Sequence, residues 1–195
     1  LLEHPGAGPL RARLAEGEEQ TIGAMITHRL NTPMTSSMGR LFDAVAALAG
    51  VRDDALYEGQ AAIELEAIAD PAAEGSYGFG FIEEDGMLLV DSAPVLEAVL
   101  DDVADGTAPQ VISTRFHRAV VAAVVDGCLR LAPGLGTRTV ALSGGVFMNR
   151  LVVTGAVRGL KEAGLEPLVH RRLPANDGGI AFGQAVVAWA RHHEV

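Results

Sequence analysis

The sequence predicts an α/β fold, and three observations support this prediction. Helical patterns fill the first part of the chain, a short hairpin follows, and strands alternate with helices in the last part. Two late junctions share one design, in which an apolar strand ends and a small, Gly-rich turn starts a helix. If these two strands are parallel, both turns lie at one edge of a sheet, where α/β proteins commonly bind ligands.

Composition indicates a globular chain with enough apolar residues for a core. The 195 residues are 49% hydrophobic and 21% charged, with a formal net charge of -10 at pH 7. No apolar run reaches the roughly 20 residues of a membrane helix, and the acidic balance argues against a nucleic-acid partner. The single Cys128, on an apolar helix face, is expected to be buried and inert, and its inability to form an internal disulfide favours the cytoplasm.

The first part of the chain predicts three helices. Apolar spacing predicts the first helix over 18–30. The second starts at the capping residues 35–37 and ends at Gly50. The third, over 61–69, follows the Tyr57-Glu58-Gly59-Gln60 turn. Asp43 is expected near the start of the second helix, where a carboxylate favours the helix dipole. It could equally receive ribose hydroxyls.

The middle of the chain predicts a hairpin followed by two helices. Residues 76–82 alternate aromatic and glycine residues, Asp85-Gly86 forms a turn, and residues 87–90 return as the partner strand. Helices are expected over 95–104 and 113–131. We interpret the hairpin as a small insertion, and His117 on the second helix as a structural residue.

The last part carries both Gly-rich junctions. A strand over 139–142 meets Ser143-Gly144-Gly145, and helical spacing resumes at Asn149. Glycines at such a turn allow a phosphate to approach backbone N–H groups, although a turn needed only for packing explains them equally well. A strand over 166–169 and a loop over 171–179 lead to a helix over 180–191. Within that loop, the local sequence favours Asp177 as a helix cap, and the alternative is a ligand for a cation.

Four separated stretches resemble one known family. They are TSSMGRLFDAVAAL at 35–48, YEGQAAIELEAIA at 57–69, ALSGGVFMNRLV at 141–152 and PANDGGIAFGQAVVA at 174–188. In order and composition they are similar to the C-terminal part of HypF, the carbamoyltransferase of NiFe-hydrogenase maturation. The resemblance covers most of the chain.

The resemblance implies a reaction, partners and a fold. HypF uses carbamoyl phosphate and ATP to make carbamoyl-adenylate, and its C-terminal domain passes the carbamoyl group to the C-terminal cysteine of HypE. HypE then makes the cyanide donor of the iron centre. That domain has the two-lobed fold of actin-like ATPases, and residues 1–195 correspond to its second lobe, with a helical and hairpin insertion over 71–110. The upstream lobe and the other domains of the same protein are then further partners.

The resemblance also implies site residues. Asp177 of NDGG matches the family's metal-ligating aspartate, which favours the ligand interpretation over the cap. The resemblance identifies no catalytic residue. The positions that match nucleotide or carbamoyl-adenylate contacts, or the glycine turn beside them, are Asp43, Gly59, Gly144, Gly145 and Asn149.

One departure from the family limits the metal prediction. The divalent metal, whether iron, zinc or magnesium, is held in the family by paired histidines as well, and no histidine of this chain has the paired helical spacing. His192 and His193 are adjacent, so they do not face one point on a helix. A single carboxylate binds metal weakly, and we expect the chain alone to be inactive and nearly free of metal.

Three alternatives stay open. An O-carbamoyltransferase of antibiotic biosynthesis uses the same carbamoyl-adenylate but delivers to a sugar hydroxyl. Threonylcarbamoyl transfer to tRNA fits poorly with the acidic balance. The chain could also be a docking lobe that recognises a partner's cysteine tail without contributing to catalysis.

Overall fold

The computed structural model describes residues 3–193 and divides the chain into two compact units, with the boundary between Ala119 and Val120. Helices predominate, and each unit contains one two-stranded sheet. The predicted α/β class is confirmed. The assignment to one lobe of an actin-like fold and the insertion over 71–110 stay predictions. Within the described residues, no helix is both long and apolar enough to cross a membrane.

The first unit is mostly helical and contains an antiparallel hairpin. A 3-10 turn at Pro5–Ala7 precedes its first helix, and its last helix, α6, continues past the unit boundary. The elements are α1 (Gly8–Arg11), α2 (Glu18–Thr27), α3 (Met38–Leu48), α4 (Gln60–Ala67), β1 (Gly80–Glu84), β2 (Met87–Asp91), α5 (Ala93–Ala104) and α6 (Pro109–Leu135).

Helix α3 forms where the caps predicted it. The Ser37 hydroxyl accepts a hydrogen bond from the Arg40 N–H at 3.4 Å, and Gly50 follows the helix with φ of 71°. The dipole explanation for Asp43 is wrong, because Asp43 lies beyond the first turn. Its carboxylate instead pairs with Arg40 one turn earlier, at 3.3 Å.

Several predicted helix ends need correction. The first helix stops at Thr27 rather than residue 30, since Arg29 and Asn31 take left-handed φ values of 54° and 53°. Helix α4 starts one residue early and ends at Ala67. Helix α6 is longer than predicted at both ends. It continues past Pro133, which lies in its last turn.

The hairpin turn is confirmed, but the first strand starts later than predicted. Asp85 and Gly86 take φ of 50° and 76°, which suits a tight two-residue turn. Tyr77 lies outside the strand, and its hydroxyl donates to Asp102 at 2.5 Å. Arg115 donates to both oxygens of the same carboxylate, at 2.9 and 2.7 Å. This polar contact replaces the strand pairing predicted for residues 76–79.

The core of the first unit centres on an aromatic contact. The rings of Phe42 and Phe116 meet edge to face with centroids 4.8 Å apart. His117 is buried beside Phe42, and its Nδ1 lies 2.7 Å from the Ser113 carbonyl oxygen. Burial lowers the pKa of His117, and its interpretation as a structural residue stays a prediction. Other fully buried apolar side chains of this core are Val45, Leu65, Val95, Val99, Leu100 and Ile112.

The second unit is built on a parallel strand pair. β3 (Thr139–Leu142) pairs in parallel with β4 (Glu166–Val169), and α7 (Arg150–Glu162) connects them. α8 (Ile180–His193) follows β4. Both strands and their parallel pairing are confirmed, so the two junctions do lie at one edge of the sheet.

α7 covers the core of this unit. Leu142, Ala156, Leu160 and Leu165 are buried together, and α6 packs against them. Cys128 of α6 is half-buried in the same cluster, so the prediction of a buried thiol is only partly correct. Burial nonetheless raises the pKa of its thiol, which is consistent with an unreactive side chain.

Candidate functional site at the ends of β3 and β4

Two loops meet where the parallel strands end. The Gly144 N–H, just after β3, donates to the Ala175 carbonyl oxygen in the loop after β4, at 2.8 Å. Gly144 takes φ of 104° and ψ of 163°, a conformation that other residues rarely adopt. The loops and α8 enclose an open cleft of about 570 Å³. Its polar or glycine lining residues include Ser143, Gly144, His170, Asn176, Asp177 and Gly179.

A histidine lies in this cleft that the sequence analysis did not select. His170 follows β4 directly, and its Nε2 lies 3.0 Å from the Ser143 Oγ at the end of β3. The signal was present in the sequence, because both residues immediately follow predicted strands. Helical spacing does not reveal the pair, because His170 and Ser143 are 27 positions apart in the sequence.

Gly145 and Asn149 occupy a more elaborate turn than predicted. A 3-10 helix over Gly145–Met148 separates the glycines from α7. Asn149 is 9% exposed, and its side-chain oxygen accepts a hydrogen bond from the Val152 N–H at 3.0 Å. Asn149 is therefore the N-cap of α7. A contact of Gly145 or Asn149 with a nucleotide stays a prediction.

Asp177 lines the cleft as an exposed side chain. It is the first residue of a 3-10 helix, Asp177–Gly179, and the cap of that helix is Asn176, whose side-chain oxygen accepts from the Gly178 N–H at 3.1 Å. The interpretation of Asp177 as a cap is therefore wrong. Its carboxylate is not used at the helix start, which leaves the ligand interpretation open.

The described residues do not by themselves form a metal centre. Across residues 3–193, no group of three or more His, Cys, Asp or Glu side chains is arranged to hold an ion. Asp177 can contribute one carboxylate oxygen of the kind that divalent cations bind.

The other two predicted contacts lie in the first unit. Asp43 is half-buried on α3, and Gly59 precedes α4 with φ of 78°. α3 and α4 pack against each other. Gln60 stabilises the turn at Gly59, since its side-chain oxygen accepts from the Leu56 N–H at 2.7 Å. Both residues stay predicted nucleotide contacts.

Comparison with known proteins identifies the family. Residues 5–184 match the family model described as carbamoyltransferase, Kae1-like domain, second subdomain. The chain belongs to the HypF carbamoyltransferases. It is 45% identical over 174 residues to carbamoyltransferase HypF of Rhizobium leguminosarum bv. viciae, covering 85% of this chain and 21% of that protein. With HypF of Synechocystis sp. it shares 39% identity over 157 residues, covering 80% and 20%.

Solved HypF structures share the fold. A crystal structure of full-length HypF in the phosphate- and nucleotide-bound form matches with a TM-score of 0.87 and 35% identity, over 96% of this chain and 25% of that one. HypF of T. kodakarensis matches with a TM-score of 0.75 and 27% identity, over 91% and 23%. The chain thus spans about a fifth to a quarter of the length of these relatives.

Proposed function

We propose that this chain contributes one half of a carbamoyl-transfer site. The reaction moves a carbamoyl group from carbamoyl-adenylate to the C-terminal cysteine of HypE, on the route to the cyanide ligands of NiFe hydrogenase. The observation that carries this proposal is the family match over residues 5–184, together with a cleft formed where its two Gly-rich motifs meet. We place the chain in the second lobe of an actin-like fold, with the hairpin region as an insertion.

The cleft has features that suit an adenylate. Its backbone turn at Gly144 leaves room for a phosphate to approach, because no other heavy atom lies within 4 Å of a Cβ built at that residue. Asn149 and Gly145 lie just beyond that turn and would orient the adenylate, so that its carbamoyl carbon is open to attack. In the first unit, Asp43 and Gly59 stay separately proposed as nucleotide contacts.

A divalent cation is proposed as the cofactor, with Asp177 as one of its ligands. When bound, such an ion polarises the carbonyl and offsets phosphate charge. Residues 3–193 contain no three-ligand group, so the other ligands are proposed to come from water, from phosphate oxygens or from other parts of a longer polypeptide. We therefore propose that the chain alone neither transfers carbamoyl groups nor retains metal.

The test places this chain in a polypeptide of the relatives' full length. Asp177→Ala and Asn149→Ala are each expected to reduce carbamoylation of the acceptor cysteine by at least about 100-fold, as for the loss of a group that stabilises transition-state charge. Arg158→Ala, an exchange on α7 outside the cleft, is the matched control and should retain the rate. Full turnover by both variants would reject a catalytic role and favour a docking lobe.

A further inference from the structure

His170 and Ser143 form a polar pair for which the proposed function gives no role. Each is the first residue after a parallel strand, and the His170 Nε2 to Ser143 Oγ distance is 3.0 Å. Both line the cleft that also contains Gly144 and Asp177. A hydroxyl within about 2.6–3.2 Å of an imidazole nitrogen is the geometry of proton transfer in nucleophile–base pairs.

The hydrogen bond is not needed merely to tie the two loops together. The main-chain bond from the Gly144 N–H to the Ala175 carbonyl oxygen, at 2.8 Å, already joins them. His170 and Ser143 are both solvent-exposed, so neither side chain needs this hydrogen bond to offset the cost of burying a polar group. A reactive role accounts for an imidazole and a hydroxyl at this position better than a structural one.

We propose that Ser143 and His170 form the proton relay that activates the acceptor thiol, an inference that rests on the proposed function. The thiolate is the nucleophilic form of cysteine, so the S–H proton must leave. The thiol gives this proton to the Ser143 Oγ, while the Ser143 hydroxyl proton passes to the neutral His170 Nε2. The sulfur bonds to the carbamoyl carbon, and the bond from that carbon to the phosphate oxygen breaks, so that AMP leaves with the electron pair.

Acidic, basic and apolar side chains surround His170. Asp177 is the acidic side chain that lines the same cleft. Arg171 and Arg172 are the basic neighbours in sequence, and both are exposed, so solvent screens their repulsion. α8 contributes apolar side chains to the cleft, namely Ile180, Phe182, Val186 and Val187.

The test compares His170→Gln, Ser143→Ala and the double variant in a polypeptide of the relatives' length. Glutamine can retain the hydrogen bond to Ser143 but cannot accept the proton, and Ser143→Thr retains the hydroxyl. At pH 7 we expect either single change to lower thiol carbamoylation by at least about 100-fold. The double variant should lose no more activity than either single variant, because the pair acts as a unit.

The pH dependence separates the relay from a structural role. Near pH 9 a free thiol, with a pKa of about 8.5, ionises without help, so the deficit of His170→Gln should shrink to less than about tenfold. Ser143→Thr, which retains the hydroxyl, should recover more activity than Ser143→Ala, and the exposed control His192→Gln should keep the full rate. Carbamoyl-phosphate-dependent exchange of pyrophosphate into ATP should be unchanged in every variant, because it reports formation of the adenylate and not its transfer.

Several outcomes would overturn the relay. They are an equal deficit at both pH values, additive losses in the double variant, full activity of His170→Gln, or a carbamoyl group found on Ser143 by mass spectrometry. These failures are distinguishable from failure of the proposed function. If the proposed function is wrong, the unaltered polypeptide will itself form the adenylate without carbamoylating the thiol.

Discussion

The helices α7 and α8 both follow a strand of the same parallel pair, yet only one of them is covered by the rest of its unit. Val152, Ala156 and Leu160 of α7 are fully buried. No residue of α8 is buried, and Phe182 and Trp189 are 57% and 64% exposed. The difference indicates a division of roles, in which α7 carries the stability of the unit and α8 leaves its apolar side open to the cleft.

Two glycines explain how closely α7 is packed. A Cβ added to Gly155 or Gly159 would lie 2.7 Å or 2.8 Å from a methyl group of Val121 or Val125 on α6. A Cβ added to Gly183, the glycine of α8, would meet no atom within 4 Å. The backbone of α7 can therefore approach α6 only because these two positions lack side chains.

The largest expected contrast comes from truncating one apolar side chain on each helix. Leu160→Ala should lower the free energy of unfolding by about 2–5 kcal/mol, because it leaves a cavity beneath α7. Phe182→Ala on α8 should change it by about 0.5 kcal/mol or less. Urea unfolding followed by circular dichroism measures both, and equal losses would contradict the division of roles.

A smaller contrast is expected from adding a methyl group to each helix. Gly155→Ala should destabilise by about 1–3 kcal/mol, since Val121 is β-branched and cannot move aside easily. Gly183→Ala should stabilise by up to about 1 kcal/mol, because alanine favours helix and meets no neighbour. The same urea series tests the prediction, which is wrong if both substitutions shift the midpoint in one direction.

The caps of the two junctions should differ by less. Asn149→Ala removes the N-cap of a 13-residue helix and should cost about 1 kcal/mol. Asn176→Ala removes the cap of an exposed three-residue 3-10 helix, and its cost in unfolding free energy should be only a few tenths of the cost of Asn149→Ala. Asn149→Asp, which keeps the capping oxygen, is the control. A loss of stability in this control as large as in Asn149→Ala would show that capping is not the reason.

The smallest effect is a pH dependence confined to the α7 side. Burial raises the pKa of the Cys128 thiol above its ordinary value of 9.0. Its contribution to stability is therefore complete below pH 9.0 and is lost as the pH rises through the higher folded value. Stability measured between pH 8 and 10.5 should fall less in Cys128→Ala than in the unaltered chain. Identical slopes of stability against pH in the two proteins would show that the thiol stays protonated, or that it is equally hydrated in the folded and unfolded states.

The sequence predicted the second unit better than the first. Glycine-rich turns and the apolar pattern predicted the ends of β3 and β4 almost to the residue. Both are local signals, which a sequence shows directly. The first strand of the hairpin was misplaced, since the contact of Tyr77 with Asp102 joins residues 25 positions apart. No local pattern could reveal that contact.

The candidate site was predicted in part for the same reason. Gly144 and Asp177 were selected from motifs, and the parallel pairing brings their loops together. The local sequence favoured Asp177 as the cap, whereas the capping oxygen belongs to Asn176. A rule based on residue type does not distinguish adjacent Asn and Asp residues. His170 was missed, since its meaning depends on Ser143, 27 residues away.

The central claim is that the cleft beside α8 belongs to a nucleotide-dependent site that is incomplete in this chain. Calorimetry of ATP binding tests it most directly, with this chain and an upstream-extended version, each with and without Asp177→Ala. We predict binding only by the extended form, weakened at least tenfold by the substitution, or by about 1.4 kcal/mol. Equal binding in all four would contradict the claim, because this chain would then bind ATP by itself and without Asp177.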